Sequence, residues 1–179
     1  MRVGIIADTH GFLDPRIADR LTECDVAVHA GDIGGAEVLC AMQPREEVYA
    51  VRGNVDGPQT WPDHEEHMLE NLPGQLTLDL PGGQLAVLHA EGYDVAQRHT
   101  WLRQALAETK AIACGHSHEL IVDDSASPWV LNPGAAGRVR VGEGPSMLIL
   151  ECNDGNWEVE VCRFPPRKYR AISGADGTE

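Results

Sequence analysis

Three apolar runs in the N-terminal third each end on a polar side chain, and this narrows the fold more than any other feature. VGIIAD stops at Asp8, DVAVHAGD at Asp32 and EVYAVRGN at Asn54. A strand buried on both faces reads as a continuous apolar run rather than an alternating one. Between the runs lie two short helical patterns. DPRIADRLTEC places Asp14 as N-cap and Pro15 at the first helical position, and AEVLCAMQP is stopped by Pro44. Strand and helix in alternation imply parallel strands with right-handed crossovers.

The second half changes character. Residues 57–73 form an irregular stretch rich in Pro, His and Glu. QLTLDLPGGQLAVLHA predicts a hairpin around Gly82 and Gly83. DVAQRHTWLRQALAETK predicts a helix with Leu102, Ala105 and Leu106 on one face. Strand-like runs follow at AIAC, LIVDD and WVLNPG, and a last hairpin pairs SMLILEC with WEVEVCRF across Asn153 to Asn156. The length of 179 residues suits one domain, expected over residues 1–164, with a polar tail at 165–179 that frays.

Charge and cysteine usage exclude several functions. A net charge of −14 repels polyanions, which argues against broad nucleic-acid binding and against anionic membranes. The same acidity allows a local cation site. No apolar run is long enough for a signal peptide or a membrane span. The five cysteines are odd in number and none forms a C-x-x-C pair; Cys114, Cys152 and Cys162 sit in strand-like runs as small buried hydrophobes. A reduced, cytoplasmic protein is expected, with a homo-oligomer left open.

In parallel sheets, ligands bind beyond the carboxyl ends of the strands. Asp8, Asp32 and Asn54 stand there. His10 follows Asp8 by two, His89 closes another run, and His116 and His118 follow AIAC and Gly115. Residues two apart on a strand point the same way, so His116 and His118 converge if strand geometry persists past Gly115. Seven mixed nitrogen and oxygen donors suit first-row divalent metals, and two ions better than one, since a single tetrahedral ion cannot use seven ligands.

The ordered set Asp8-x-His10, Gly31-Asp32, Gly53-Asn54, His89 and Gly115-His116-Ser117-His118 resembles the calcineurin-like metallophosphoesterases. VRGNVD and NPGAAG resemble their small bacterial and archaeal phosphodiesterase branch in particular. The resemblance covers roughly Met1 to Cys162. It implies a four-layer α/β/β/α sandwich with two central mixed β-sheets and a dinuclear centre at the strand ends. By the same resemblance, Asp8, His10 and His118 hold one ion, Asn54, His89 and His116 hold a second, and Asp32 bridges them. Manganese is the first choice, with iron, nickel or zinc as alternatives. Asp32, Asn54 and His89 then serve catalysis directly, a bridging hydroxide attacking the phosphorus of a small phosphate ester in line. The alternatives are a phosphomonoesterase and a non-catalytic protein-interaction scaffold on the same fold.

The chain departs from that pattern in ways that bear on substrate. Val55 stands where many members carry a histidine that protonates the leaving oxygen, and Ala90 and Glu91 follow His89 in place of Gly-His. Ala135 replaces a serine common after the NPG triplet. Glu91 is a candidate for proton handling, and Arg52 and Arg138 either reach a substrate phosphate or stay on the surface. His29 reads as a core histidine satisfied by hydrogen bonds, or as a partner steadying a ligand. His64 and His67 in DHEEH are three apart, not the four a zincin needs, and are expected in a solvated loop. His99 is expected at the surface. Ser117 imitates a nucleophile elbow, but Glu119 replaces the glycine that the sharp turn needs.

Overall fold

The computed structural model describes residues 1–92, 94, 97–138 and 144–166. The N-terminal alternation folds as its pattern requires. β1 (Arg2–Ile6), β2 (Val26–His29) and β3 (Glu47–Ala50) run parallel, with α1 (Pro15–Leu21) and α2 (Ala36–Ala41) crossing between them. Asp14 caps α1 by accepting the Arg16 amide at 2.9 Å. A hairpin of β9 (Ser146–Cys152) and β10 (Trp157–Arg163) joins β1 antiparallel, so the first sheet is ordered β10-β9-β1-β2-β3. The second sheet is built from β4 (Gln75–Leu80), β5 (Gly83–Leu88), β6 (Ala111–Ala113), β7 (Leu120–Asp123) and β8 (Trp129–Pro133), in the order β4-β5-β6-β8-β7. Its three central strands are parallel and its two edge strands antiparallel.

Side-chain alternation along the strands turns these sheets into four layers. Val3, Ile5 and Val28 of the first sheet meet Val87, Ala113 and Leu131 of the second in one buried cluster. On the far side of the first sheet, Ile6, Ala27 and Ile149 pack under Ile17 and Leu21 of α1, Val38 of α2 and Leu69 of α3 (Glu66–Asn71). On the far side of the second, Ala86, Ile112 and Val130 pack under Leu102 of α4 (Arg98–Ala105). The expected α/β/β/α sandwich with two mixed sheets is what forms.

Four local expectations change. The 57–73 stretch is not wholly irregular: a 3₁₀ turn (Asp63–Glu65) leads into α3, which Leu69 and the buried Trp61 seat against the first sheet. The helix expected over 94–110 is shorter, and Ala105 is exposed while Leu102 is buried. His99 is half-buried and pairs with Asp123 at 2.6 Å instead of standing free at the surface. Most of the expected tail, residues 167–179, lies outside the described residues. All five cysteines are free, with Cys40 alone exposed. Among the described residues no helix is long and apolar enough to cross a membrane.

Leu148 is fully buried between the two sheets, whereas Trp101 of α4 is 53% exposed. Leu148→Ala is therefore expected to lower unfolding stability by about 2–5 kcal/mol in urea titrations. Trp101→Ala should stay within about 0.5 kcal/mol of the parent. Equal losses would contradict the layer assignment.

Candidate metal centre

The carboxyl ends of β1, β2, β3, β5 and β6 lie at one end of the sandwich, and the loops leaving them carry all seven sequence-derived donors. The structure brings them together. Asp8, His10, Asp32 and His118 present ligand atoms within 4.8 Å of one another. His116 Nδ1 stands 2.9 Å from Asn54 Oδ1, and His89 Nε2 stands 3.2 Å from Asp32 Oδ1. His10 and His118 face each other through their Nε2 atoms at 3.2 Å.

Strand geometry does not produce this convergence. β6 ends at Ala113, and His116 and His118 both take left-handed backbone, with φ of 75° and 58°. Asp8, His10 and Asp32 do the same at 55°, 48° and 57°. Such conformations cost a non-glycine residue about 1–3 kcal/mol each and persist only where surrounding structure holds them. Here the holding groups can be named. Asp56 is buried, and its carboxylate accepts the amides of Ile33, Gly34 and Gly53 and the indole N–H of Trp61, each at 2.9 Å. It thereby ties the Asp32 loop to the Asn54 loop. Asn132 donates to the Gly115 carbonyl and to Ser117 Oγ at 2.9 and 3.0 Å, steadying the turn that carries both histidines. Ser117 is thus engaged as an acceptor rather than poised as a nucleophile.

Two glycines are required by close approach. A Cβ on Gly31, whose φ is +92°, would lie 2.6 Å from His89 Nδ1, and one on Gly53 would overlap the amide and carboxylate of Asp32. His29 takes the second of its two expected roles, steadying the residues that carry donors, and is not fully satisfied, since its buried Nδ1 has no hydrogen-bond partner. It is fully buried, and burial pushes its pKa down to about 3, so it is neutral. Its Nε2 lies 2.8 Å from Thr9 Oγ1, and that hydroxyl donates to the Ile33 carbonyl. A core histidine therefore braces the residue between Asp8 and His10. His64 is exposed, as expected for a solvated segment. Arg52 and Arg138 are exposed, Arg138 lying over the Phe12 ring.

The electrostatics of the cluster suit a cation. Burial pushes Asp8 up to about 7, and the Asp32 charge adds to it, while His89 opposes. Burial also pushes Asp32 up, but the His89 ring beside it outweighs that and holds it low. His89 is correspondingly raised by Asp32 against its own burial. Burial and the neighbouring imidazoles lower His116 and His118. His89 Nδ1 donates to the Ala30 carbonyl at 2.9 Å, which fixes the ring. Its buried Nε2 has no aligned hydrogen-bond partner despite the nearby Asp32 oxygen. A ring nitrogen and a carboxylate this close but not aligned for a hydrogen bond, in a site of mixed nitrogen and oxygen donors, fit a divalent metal.

Sequence reasoning passed over Asp56 and Asn132. Asp56 follows Asn54 by two in a turn, where an aspartate ordinarily faces solvent. Nothing local marks it as buried.

The calcineurin-like phosphoesterase superfamily domain matches residues 1–155. A probable metallophosphoesterase of Methanocaldococcus jannaschii is 28% identical over 144 residues, which span 75% of this chain and 68% of that protein. Two solved structures share the fold. One is described as a novel archaeal phosphodiesterase, with a TM-score of 0.68 at 18% identity over 90% of this chain and 100% of the other. The second is wild-type Vps29 complexed with zinc from Entamoeba histolytica, with a TM-score of 0.65 at 20% identity over 90% of this chain and 98% of the other.

Two outcomes follow. Asp56→Ala leaves three buried amides and an indole N–H without their acceptor, and should lower stability by about 3 kcal/mol or more in urea titrations; an unchanged midpoint would contradict the tie. Below pH about 7 Asp8 retains a proton that a metal must displace. Manganese affinity should therefore rise with pH and level off above that value, with protons released on binding at about pH 6 and fewer at about pH 8. Calorimetry in buffers of different ionisation enthalpy reads this directly, and pH-independent proton release would contradict it.

Proposed function

The chain belongs to the calcineurin-like phosphoesterase superfamily, and from that membership we propose that it is a dinuclear metal-dependent phosphodiesterase acting on a small phosphate ester. The supporting observation is the seven-donor cluster itself, in which five backbone positions are left-handed and the buried His89 Nε2 lacks an aligned partner. Asp8, His10 and His118 would hold one ion and Asn54, His89 and His116 the other, with Asp32 between them. When bound, two divalent ions supply an activated water and offset the charge on the phosphoryl oxygens. The chain's own residues orient these ligands. The Val55 amide donates to Asp32 Oδ1 at 3.1 Å, and the Ala30 carbonyl holds His89. A protein-interaction scaffold gains nothing from left-handed backbone at five of seven polar side chains that converge on one site, which favours catalysis over that alternative.

Substrate preference turns on Val55. Its amide helps place Asp32, but its side chain has no proton to give the departing oxygen. Losing a general acid costs roughly 10²–10⁴-fold with poor leaving groups. Activated aryl esters need little protonation and should react well. Diesters, with less negative charge than monoester dianions, suit an anionic nucleophile.

Hydrolysis of bis(4-nitrophenyl) phosphate should show a higher kcat/KM than that of 4-nitrophenyl phosphate, and Val55→His should selectively improve esters with poor leaving groups. Asp32→Ala should lose metal stoichiometry and activity together. A preference for the monoester would overturn the diesterase reading. Undiminished activity in Asp32→Ala or in chelator-treated protein would overturn the metal reading.

A further inference from the structure

Arginines that the fold half-buries are set against acids. Arg2 meets Glu151 and Glu160, Arg16 meets Asp14, Arg20 meets Glu23 and Glu160, and Arg103 meets Asp123. Arg98 breaks the pattern. It is the most buried of them, at 6% exposure, and its buried Nε has no hydrogen-bond partner. No ion pair to it occurs among the described residues. The first turn of α4 has no acidic residue and no side-chain cap. In a chain with 28 acidic residues, a buried arginine that meets no acid among the described residues is not for want of partners. Burying a charge without a partner is strongly unfavourable.

Topology places this cation beside the metal centre. β5 and β6 are parallel, and α4 connects the end of β5 to the start of β6. The first residue of α4 therefore lies at the end where β5 delivers His89 and β6 delivers His116. Arg98 shares its helix face with Leu102, one turn further on, which packs against Leu88, Ala90 and Cys114. Burial raises the Cys114 thiol and lowers His116, and the Arg98 charge acts on both, opposing the first shift and adding to the second. A guanidinium matches phosphate geometry through paired N–H donors and keeps its proton at all working pH values.

We propose that Arg98 is a substrate-binding residue that receives a phosphoryl oxygen of the ester on the His116 side of the site. This rests on the phosphoesterase reading. Arg98 replaces none of the proton donation absent at Val55. It supplies fixed positive charge from outside the metal ligands, and the bound anion completes its own unmet hydrogen bonding.

The test uses Arg98→Met, which keeps an unbranched stem, and Arg98→Lys, which keeps the charge but loses the fork. Inorganic phosphate is titrated calorimetrically into manganese-loaded protein, with metal content and thermal midpoint measured alongside. Arg98→Met should bind phosphate about tenfold or more weakly at unchanged metal content, with a midpoint equal to or above the parent's because an uncompensated charge is gone. Arg98→Lys should fall between the two. Unchanged phosphate affinity would overturn the proposal, as would phosphate binding lost together with metal. If Arg98→Met does not fold, Arg98→Lys decides: several-fold weaker phosphate binding supports the role, and parental binding refutes it. If the parent hydrolyses no ester, the phosphoesterase reading fails separately, and the phosphate titration still judges Arg98.

Discussion

One buried carboxylate joins the two halves of the site's first sheet. Asp56 takes N–H donors from the loops after β2 and β3 and from Trp61, so Asp32 and Asn54 cannot move independently. That tie also anchors the 57–73 segment, because the Trp61 ring packs in the same cluster as Leu69 of α3. Position of donors, shape of the rim and packing of one outer layer thus depend on a side chain that is not itself among the seven donors.

The other half of the site is held differently. His89 is fixed through Ala30, a residue of the opposite sheet's loop, and the Gly115 to His118 turn is gripped by Asn132 of β8. Contacts between the sheets therefore set the spacing of the donors, and the apolar cluster between the sheets keeps that spacing rigid. Six left-handed non-glycine residues in this zone, five of them donors and the sixth Ala90, are the local cost. They leave carboxylates and imidazoles crowded together, and burial beside Asp32 raises Asp8 to about 7.

Much of this is legible in the chain. Continuous apolar runs ending in Asp or Asn mark parallel strands and their functional ends, and the order of the motifs points to all seven donors. What stays hidden depends on long-range contacts. Left-handed backbone at His116 and His118 is enforced by neighbours, so strand alternation does not describe how these side chains are placed, His118 facing His10 and His116 facing Asn54. Asp56 reads as an ordinary turn aspartate. α3 is obscured by the Pro and Glu around it and by its shortness: Leu69 is its one buried residue, with Met68 partly buried beside it, too few for a repeating stripe. Arg98 lies unmarked in the sequence of an amphipathic helix, and that it meets no acid among the described residues emerges only in three dimensions.

The central claim is that seven side chains at the strand ends hold two ions bridged by Asp32. Anomalous diffraction from crystals of manganese-loaded protein tests it most directly. Two peaks about 3.5–4 Å apart are expected, both in contact with Asp32, one beside Asp8, His10 and His118 and the other beside Asn54, His89 and His116. A single peak in crystals of active protein, or density away from Asp32, would contradict it.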